Sequence, residues 1–192
     1  MMKSYLEFHD RRLTDLSLRF APSTEFREIV DVVRSVRLPS VPVNADLAAF
    51  SVLELLSNSI RAHRERGILE DVRLRYVLIG ARLEIEILDA GRGFDPSRLP
   101  YRLDDPPNDV DPTSRSFVEY RVAYGNGRFG MGLLAARRMF PDFSLTFVDK
   151  ALRPCPWFSG KVRGTRVILS APLVEESPDE VLEELPLAED TE

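Results

Sequence analysis

Between Asn44 and Leu88 the hydrophobic period changes from that of a helix to that of paired strands, and this change constrains the fold more than any other feature. Asn44 can cap a helix running from about Ala45 to His63, with Gly67 just past its last turn as a stop signal. Ala49, Val52, Leu53, Leu56 and Ile60 share one side of that helix and would hold it against a sheet. The strands follow at once: Val72 to Ile79 and Leu83 to Leu88 alternate or run apolar around Gly80-Ala81, as a hairpin does. The expected architecture is one α/β domain, and 192 residues suffice to bury its core.

On either side the signals are shorter. Leu16 to Phe20 reads as a strand, and Phe26, Ile29, Val30 and Val33 as a helix capped by Ser23 or Thr24, before Pro39 and Pro42 break the chain. From Asp95 to about Gly127 five prolines interrupt a stretch with little periodicity, and a loop of that length inside a domain is usually functional or mobile. Phe129 to Phe140 is expected to be helical. Phe143 to Val148 and Thr165 to Leu169 read as strands joined by a Pro- and Gly-containing connection. After Pro172, Ser177-Pro-Asp-Glu180 is a capping box that predicts one short helix in an otherwise acidic end.

Composition excludes several classes. Nine of the 31 acidic residues lie after Ala171, where no Lys or Arg occurs, so the body holds 26 basic against 22 acidic residues. That excess is too small and scattered to predict a nucleic-acid surface. Apolar runs fall far short of a membrane span, and the charged start lacks a signal-peptide core, so the protein is expected to be cytoplasmic. The single cysteine, Cys155, closes no intrachain disulfide and has no metal-ligand spacing.

Three segments carry candidate chemistry. At about 100° per residue, Glu54, Asn58 and Arg61 share a narrow stripe opposite the apolar side of the helix. A carboxylate, an amide and a guanidinium there suit polarising a nucleophile, ligating a metal and contacting a phosphate; the same stripe also fits the solvated face of an amphipathic helix. His63, on the final turn, reads as exposed or partly packed. Asp89 ends the strand Leu83 to Leu88, and Gly91 and Gly93 remove side chains that would keep a flat base from the backbone. A carboxylate there accepts a hydrogen bond from an exocyclic amine, although an ordinary Asp-Ala-Gly turn has the same sequence.

Gly130 and Gly132 would let amides at the start of the next helix approach phosphate oxygens. A competitor lies in the same region: Gly125-Asn-Gly127-Arg-Phe-Gly130 satisfies the dinucleotide fingerprint, with Asp149 at the end of the next strand. Against it, Phe117 to Tyr124 mixes Glu119 and Arg121 into what should be a buried parallel strand. Gly160-Lys161 lacks the upstream glycine and the following Ser or Thr of a P-loop.

In their order along the chain, Glu54-Leu-Leu-Ser-Asn58, Asp89-Ala-Gly-Arg-Gly93 and Gly130-Met-Gly132 resemble the motifs of the GHKL, or Bergerat-fold, ATP-binding domain. Histidine kinases, DNA gyrase, a heat-shock chaperone family and mismatch-repair ATPases share that domain, and the anti-sigma-factor serine kinases look most similar. The resemblance covers roughly Leu16 to Leu173. It implies an α+β fold, a two-layer α/β sandwich with a mostly antiparallel mixed sheet covered on one face by helices, and a long ATP lid at about 95–129. It separates an ATP-binding domain, 1–173, from an acidic tail, 174–192.

The resemblance also implies roles. Glu54 would be the general base for the attacking hydroxyl, Asn58 the ligand of a magnesium ion bridging the phosphates, and Arg61 a phosphate contact. Asp89 would bind the adenine amine, with Gly91 and Gly93 lining the base and Thr165 holding it through water. Gly130 and Gly132 would flank the triphosphate, and Arg128 would touch its terminal phosphate. The chain departs from the family in having Ala62, then His63, where a histidine often follows the position of Arg61. Its long proline-rich lid, the Ala151 to Arg163 insertion and the acidic tail are further departures.

The expected protein is an ATP- and Mg2+-dependent serine/threonine kinase of the partner-switching type. It would bind a sigma factor or similar target and phosphorylate an antagonist protein, without contacting nucleic acid or membrane, and related kinases resemble homodimers. Two other expectations stand beside it: a non-catalytic, ATP-dependent partner-switching scaffold, and an NAD-binding oxidoreductase using the Gly125–Gly130 fingerprint.

Overall fold

A computed structural model of the chain describes residues 5–124 and 131–174. Strands β1 (Leu6–Phe8) and β2 (Arg11–Leu13) precede β3 (Asp15–Phe20), helices α1 (Phe26–Arg34) and α2 (Ala45–Glu65), and strands β4 (Val72–Ile79) and β5 (Arg82–Leu88). Helices α3 (Arg115–Ala123) and α4 (Met131–Met139) then lead to β6 (Asp142–Val148) and β7 (Gly164–Pro172).

The local signals account for most of these elements. The Asn44 side chain accepts from the amides of Asp46 and Leu47, satisfying two of the orphan donors that open α2. Gly67 ends that helix region with φ of 63°, and Gly80 turns the β4–β5 hairpin with φ of 59°. Helix α1 differs from expectation: its N-cap is Glu25, which makes no side-chain capping bond, and neither Ser23 nor Thr24 serves. Its hold comes instead from Ile29 and Val33, which are buried.

The main sheet has the order β3-β4-β5-β7-β6, and every pairing is antiparallel, so the expected mixed sheet is corrected. Strand β7 fits between β5 and β6, which brings the Asp89 end of β5 beside Thr165. Alternation along the strands separates two faces. Leu74, Tyr76, Ile85 and Leu169 face the helices, whereas Arg73, Arg75 and Glu86 lie on the opposite, polar face.

The core lies between this sheet and the layer of α1, α2 and α4, where Val52, Leu56, Ile60, Ala136 and Phe140 meet the strand residues. The architecture is therefore α+β, with the helices on one face of an antiparallel sheet. Burying each large aliphatic side chain here contributes about 1.5–3 kcal/mol, so the apolar side of α2 dominates its attachment. The small β1–β2 hairpin, which sequence did not reveal, pairs among the described residues only with itself and with Arg37. Among the described residues no helix is long and apolar enough to cross a membrane.

The expected unstructured stretch after Asp95 is partly folded. It contains short 3-10 turns at Pro96–Arg98 and Pro107–Asp109 and helix α3, and builds a second core from Tyr101, Val110, Phe117 and Leu134. The Tyr101 and Phe117 rings stack at 5.7 Å. Two arginines of α4 fasten the stretch by its carbonyls: Arg137 donates to Asp105 at 2.5 Å, and Arg138 to Pro107 at 2.9 Å and Val110 at 2.6 Å. The 151–163 connection is also folded, its start held by Asp149, whose carboxylate accepts from the Ala151 amide at 2.8 Å and from the Arg153 amide at 3.0 Å. The backbone and side-chain donors of Arg153, with the Ala151 amide, hold the Asp149 carboxyl below the usual carboxylate range.

Candidate functional site

Helix α2, the end of β5, the start of α4 and the start of β7 enclose one cavity of about 500 Å3. Glu54, Asn58, Arg61, Asp89, Gly91, Gly93, Gly132 and Thr165 all line it. Every described candidate from the sequence therefore meets at one place. Arg128 and Gly130 lie outside the described residues, as do the Ser177 to Glu180 capping box and the acidic end.

The stripe on α2 faces the cavity because the apolar side of the helix is committed to the sheet. Arg61 donates through Nη2 to the Asn58 carbonyl oxygen at 2.5 Å, and this bond orients the amide. Gly132 brings α4 against this stripe. A Cβ at that position would lie 3.1 Å from Asn58 Nδ2 and 3.1 Å from Glu54 Oε2, tighter than ordinary contacts, so glycine permits the approach.

At the other end, Asp89 is the centre of a hydrogen-bond cluster. Its Oδ1 accepts from the Gly91 amide at 2.6 Å and the Thr165 amide at 3.3 Å. Its Oδ2 accepts from the Ser59 hydroxyl at 3.2 Å and from the Thr165 hydroxyl. Ser59 was not foreseen; it follows Asn58 and turns toward the sheet, where its hydroxyl finds a partner 30 positions later. Leu55, Leu145 and Val167 add apolar lining to the same cavity.

His63 corrects the expectation of an exposed or partly packed side chain: it is fully buried. Its Nε2 accepts from the Ala90 amide at 2.9 Å, so Nδ1 carries the proton and donates to the Glu70 carbonyl at 2.8 Å. The ring thus pins the backbone that follows Asp89. The cue available in sequence was its position on the buried side of α2, near Ser59 and Ile60. Replacing His63 by Phe is expected to lower stability by about 2–3 kcal/mol, because the partly buried bonds to the Ala90 amide and the Glu70 carbonyl are lost. Urea unfolding of the variant measures this loss.

Charge is mixed around the cavity. Glu54, Glu65, Asp89 and Asp95 line it with Arg61, Arg66 and Arg98. Arg66 donates to the Gly93 carbonyl at 3.0 Å, and the Ser97 hydroxyl bond keeps the Asp95 carboxyl below its usual range. Among the described residues no group of three or more His, Cys, Asp or Glu gathers as a metal cluster. The arrangement has an apolar slot with a carboxylate at its base, and a polar mouth where a carboxylate, an amide oxygen and guanidinium groups converge. It suits a ligand with a flat, hydrogen-bonding ring at one end and negative charge at the other.

The dinucleotide fingerprint does not find its setting. The segment leading into Gly125 is helix α3, where that motif requires a buried parallel strand, and among the described residues the sheet contains no parallel pair. No protein-family model matches this chain, and no curated protein matches it.

Proposed function

We propose that this protein binds ATP with Mg2+ in the cavity beside α2 and acts as a serine/threonine protein kinase of the anti-sigma-factor type, on a Bergerat fold. The observation that carries the reading is the convergence of Glu54, Asn58, Asp89, Gly132 and Thr165 on one cavity from four separated segments. The helices on one face of an antiparallel sheet are compatible with it.

The adenine amine would donate to Asp89, within the cluster that Ser59, Gly91 and Thr165 already form around that carboxylate. Leu55, Leu145 and Val167 supply apolar contact for the base. The phosphates would extend toward the stripe, with Arg61 as their cation and Arg128 as a further one by resemblance. The donor set fits magnesium, which takes few protein ligands and shares its shell with phosphate oxygens; the Asn58 carbonyl oxygen would hold it once Arg61 turns to the phosphates. When bound, the ion neutralises charge that develops on the phosphates.

Glu54, which lines the cavity beside Gly132, would be the general base that meets the acceptor hydroxyl. Its carboxylate takes the hydroxyl proton while the acceptor oxygen bonds to the terminal phosphorus and ADP leaves. The stretch 95–129 would serve as the lid, the target a sigma factor or similar protein, and the acceptor a serine or threonine of an antagonist. If no partner accepts phosphate, the same nucleotide site supports an ATP-dependent scaffold that exchanges partners.

Ligand-dependent thermal stability tests the nucleotide half. ATP with Mg2+ at about 100 times its dissociation constant adds roughly 2.7 kcal/mol, a rise of several degrees for a chain of this size. Asp89→Asn is expected to abolish that rise. Stabilisation by NAD and not by ATP would overturn the proposal.

A further inference from the structure

A second cavity, of about 420 Å3, lies between the C-terminal end of α1, the segment 36–38, the N-terminal half of α2 and the sheet. It shares no lining residue with the first. Its volume falls within the range of small-molecule sites, about 300–1,000 Å3, which pair apolar walls with a few polar groups. Val33, Val36, Leu38 and Val52 supply apolar walls, and Tyr76 and Ile85 close it from the sheet.

Tyr76 is the informative residue. It is only 2% exposed, it lines the cavity, and its hydroxyl has no hydrogen-bond partner among the described residues. A buried tyrosine hydroxyl usually finds one. The partnerless side-chain atoms that are sealed from solvent, such as Ser51 Oγ, do not include this hydroxyl, so it keeps some accessible surface on a residue that lines the cavity. Burial pushes its phenol up, which keeps it a neutral donor.

The outer part of the lining is charged. Arg34 and Arg37 are exposed there with a single carboxylate, Asp46. The Arg37 guanidinium lies 3.8 Å from Glu7, a solvated pairing of little strength. Apolar walls disfavour a small hydrated anion, whereas the arginines favour negative charge and the inner hydroxyl calls for an oxygen or nitrogen.

We infer that this cavity is a binding site for an apolar-bodied carboxylate whose anionic end meets Arg34 and Arg37 and whose inner polar atom accepts a hydrogen bond from Tyr76. Such a ligand would lie against Ala48, Ala49 and Val52 of α2, the helix that presents Glu54 and Asn58 on its other side. It thereby bears on the element that shapes the first site.

The test uses the full chain and a series of ω-hydroxy fatty acids of increasing length, with the unsubstituted acids and the corresponding diols as controls. Calorimetry and methyl NMR are expected to show saturable binding of an ω-hydroxy acid, with shifts at Val33 and Val52 and none at Leu145 or Val167. Tyr76→Phe, which keeps the ring, is expected to weaken that acid about tenfold and leave the unsubstituted acid unchanged. Arg34→Ala combined with Arg37→Ala should weaken both acids but not the diol, and Ala49→Trp should block all three by filling the space. No saturable binding by any acid, equal weakening of both acids by Tyr76→Phe, or binding that survives Ala49→Trp would overturn the assignment.

Discussion

Replacing Gly164 by alanine is expected to cost about 4 kcal/mol or more, a large part of the roughly 5–15 kcal/mol by which a domain is stable. A Cβ at this position would overlap the Asp89 carbonyl oxygen and lie 2.6 Å from its carbonyl carbon and 3.0 Å from Ala90 Cα. All three are backbone atoms, so no rotamer change relieves the contact. The start of β7 and the end of β5 would have to separate, breaking the Asp89 amide bond to the Thr165 carbonyl at 3.0 Å. The same movement would pull Thr165 from the Asp89 carboxylate and dismantle the base of the first cavity. Gly160 is the control: its φ is 68° but a Cβ there meets nothing within 4 Å, so alanine should cost about 1 kcal/mol, from backbone conformation alone. Urea unfolding of the two variants separates the effects, and a Gly164→Ala protein as stable as the parent would mean that β5 and β7 do not pair in this register.

Glu54→Gln is the variant with the largest expected effect on chemistry. The substitution keeps shape and hydrogen-bonding capacity beside Gly132 while removing the base. General-base catalysis typically contributes about 10²–10⁴-fold, so phosphoryl transfer to the antagonist should fall by that factor. Nucleotide affinity, read from the thermal shift with ATP and Mg2+, should change little, because the base and phosphate contacts lie on other residues. Transfer from labelled ATP to candidate antagonists, followed beside the thermal shift, distinguishes the readings. Undiminished transfer by Glu54→Gln would remove Glu54 from the base role. A wild-type protein that binds ATP and phosphorylates no partner would point to the scaffold.

The elements legible in sequence were those whose signals are local. The period of α2, its Asn44 cap and the hairpin turn at Gly80 each involve residues within one or two turns of one another. Once the apolar side of α2 is assigned to the sheet, Glu54, Asn58 and Arg61 have to face away from it, and the cavity contains all three. Helix α3 was hidden because its burial depends on one residue, Phe117, seated against Tyr101 and Leu134 from other segments. Ser59 and His63 were hidden for a related reason. A polar side chain on a helix reads as solvated unless its partner is known, and theirs are Asp89, Glu70 and Ala90.

Periodicity, capping and turn chemistry alone determined where the main helix and most strands of this protein lie, and which side chains share a face. Tertiary structure alone decided that β7 enters between β5 and β6, placing Thr165 beside Asp89 across 76 positions, and that His63 is sealed beneath the backbone that follows Asp89. Local propensity depends on neighbours in the chain, whereas strand order and buried polar partners depend on which distant surfaces exclude water together.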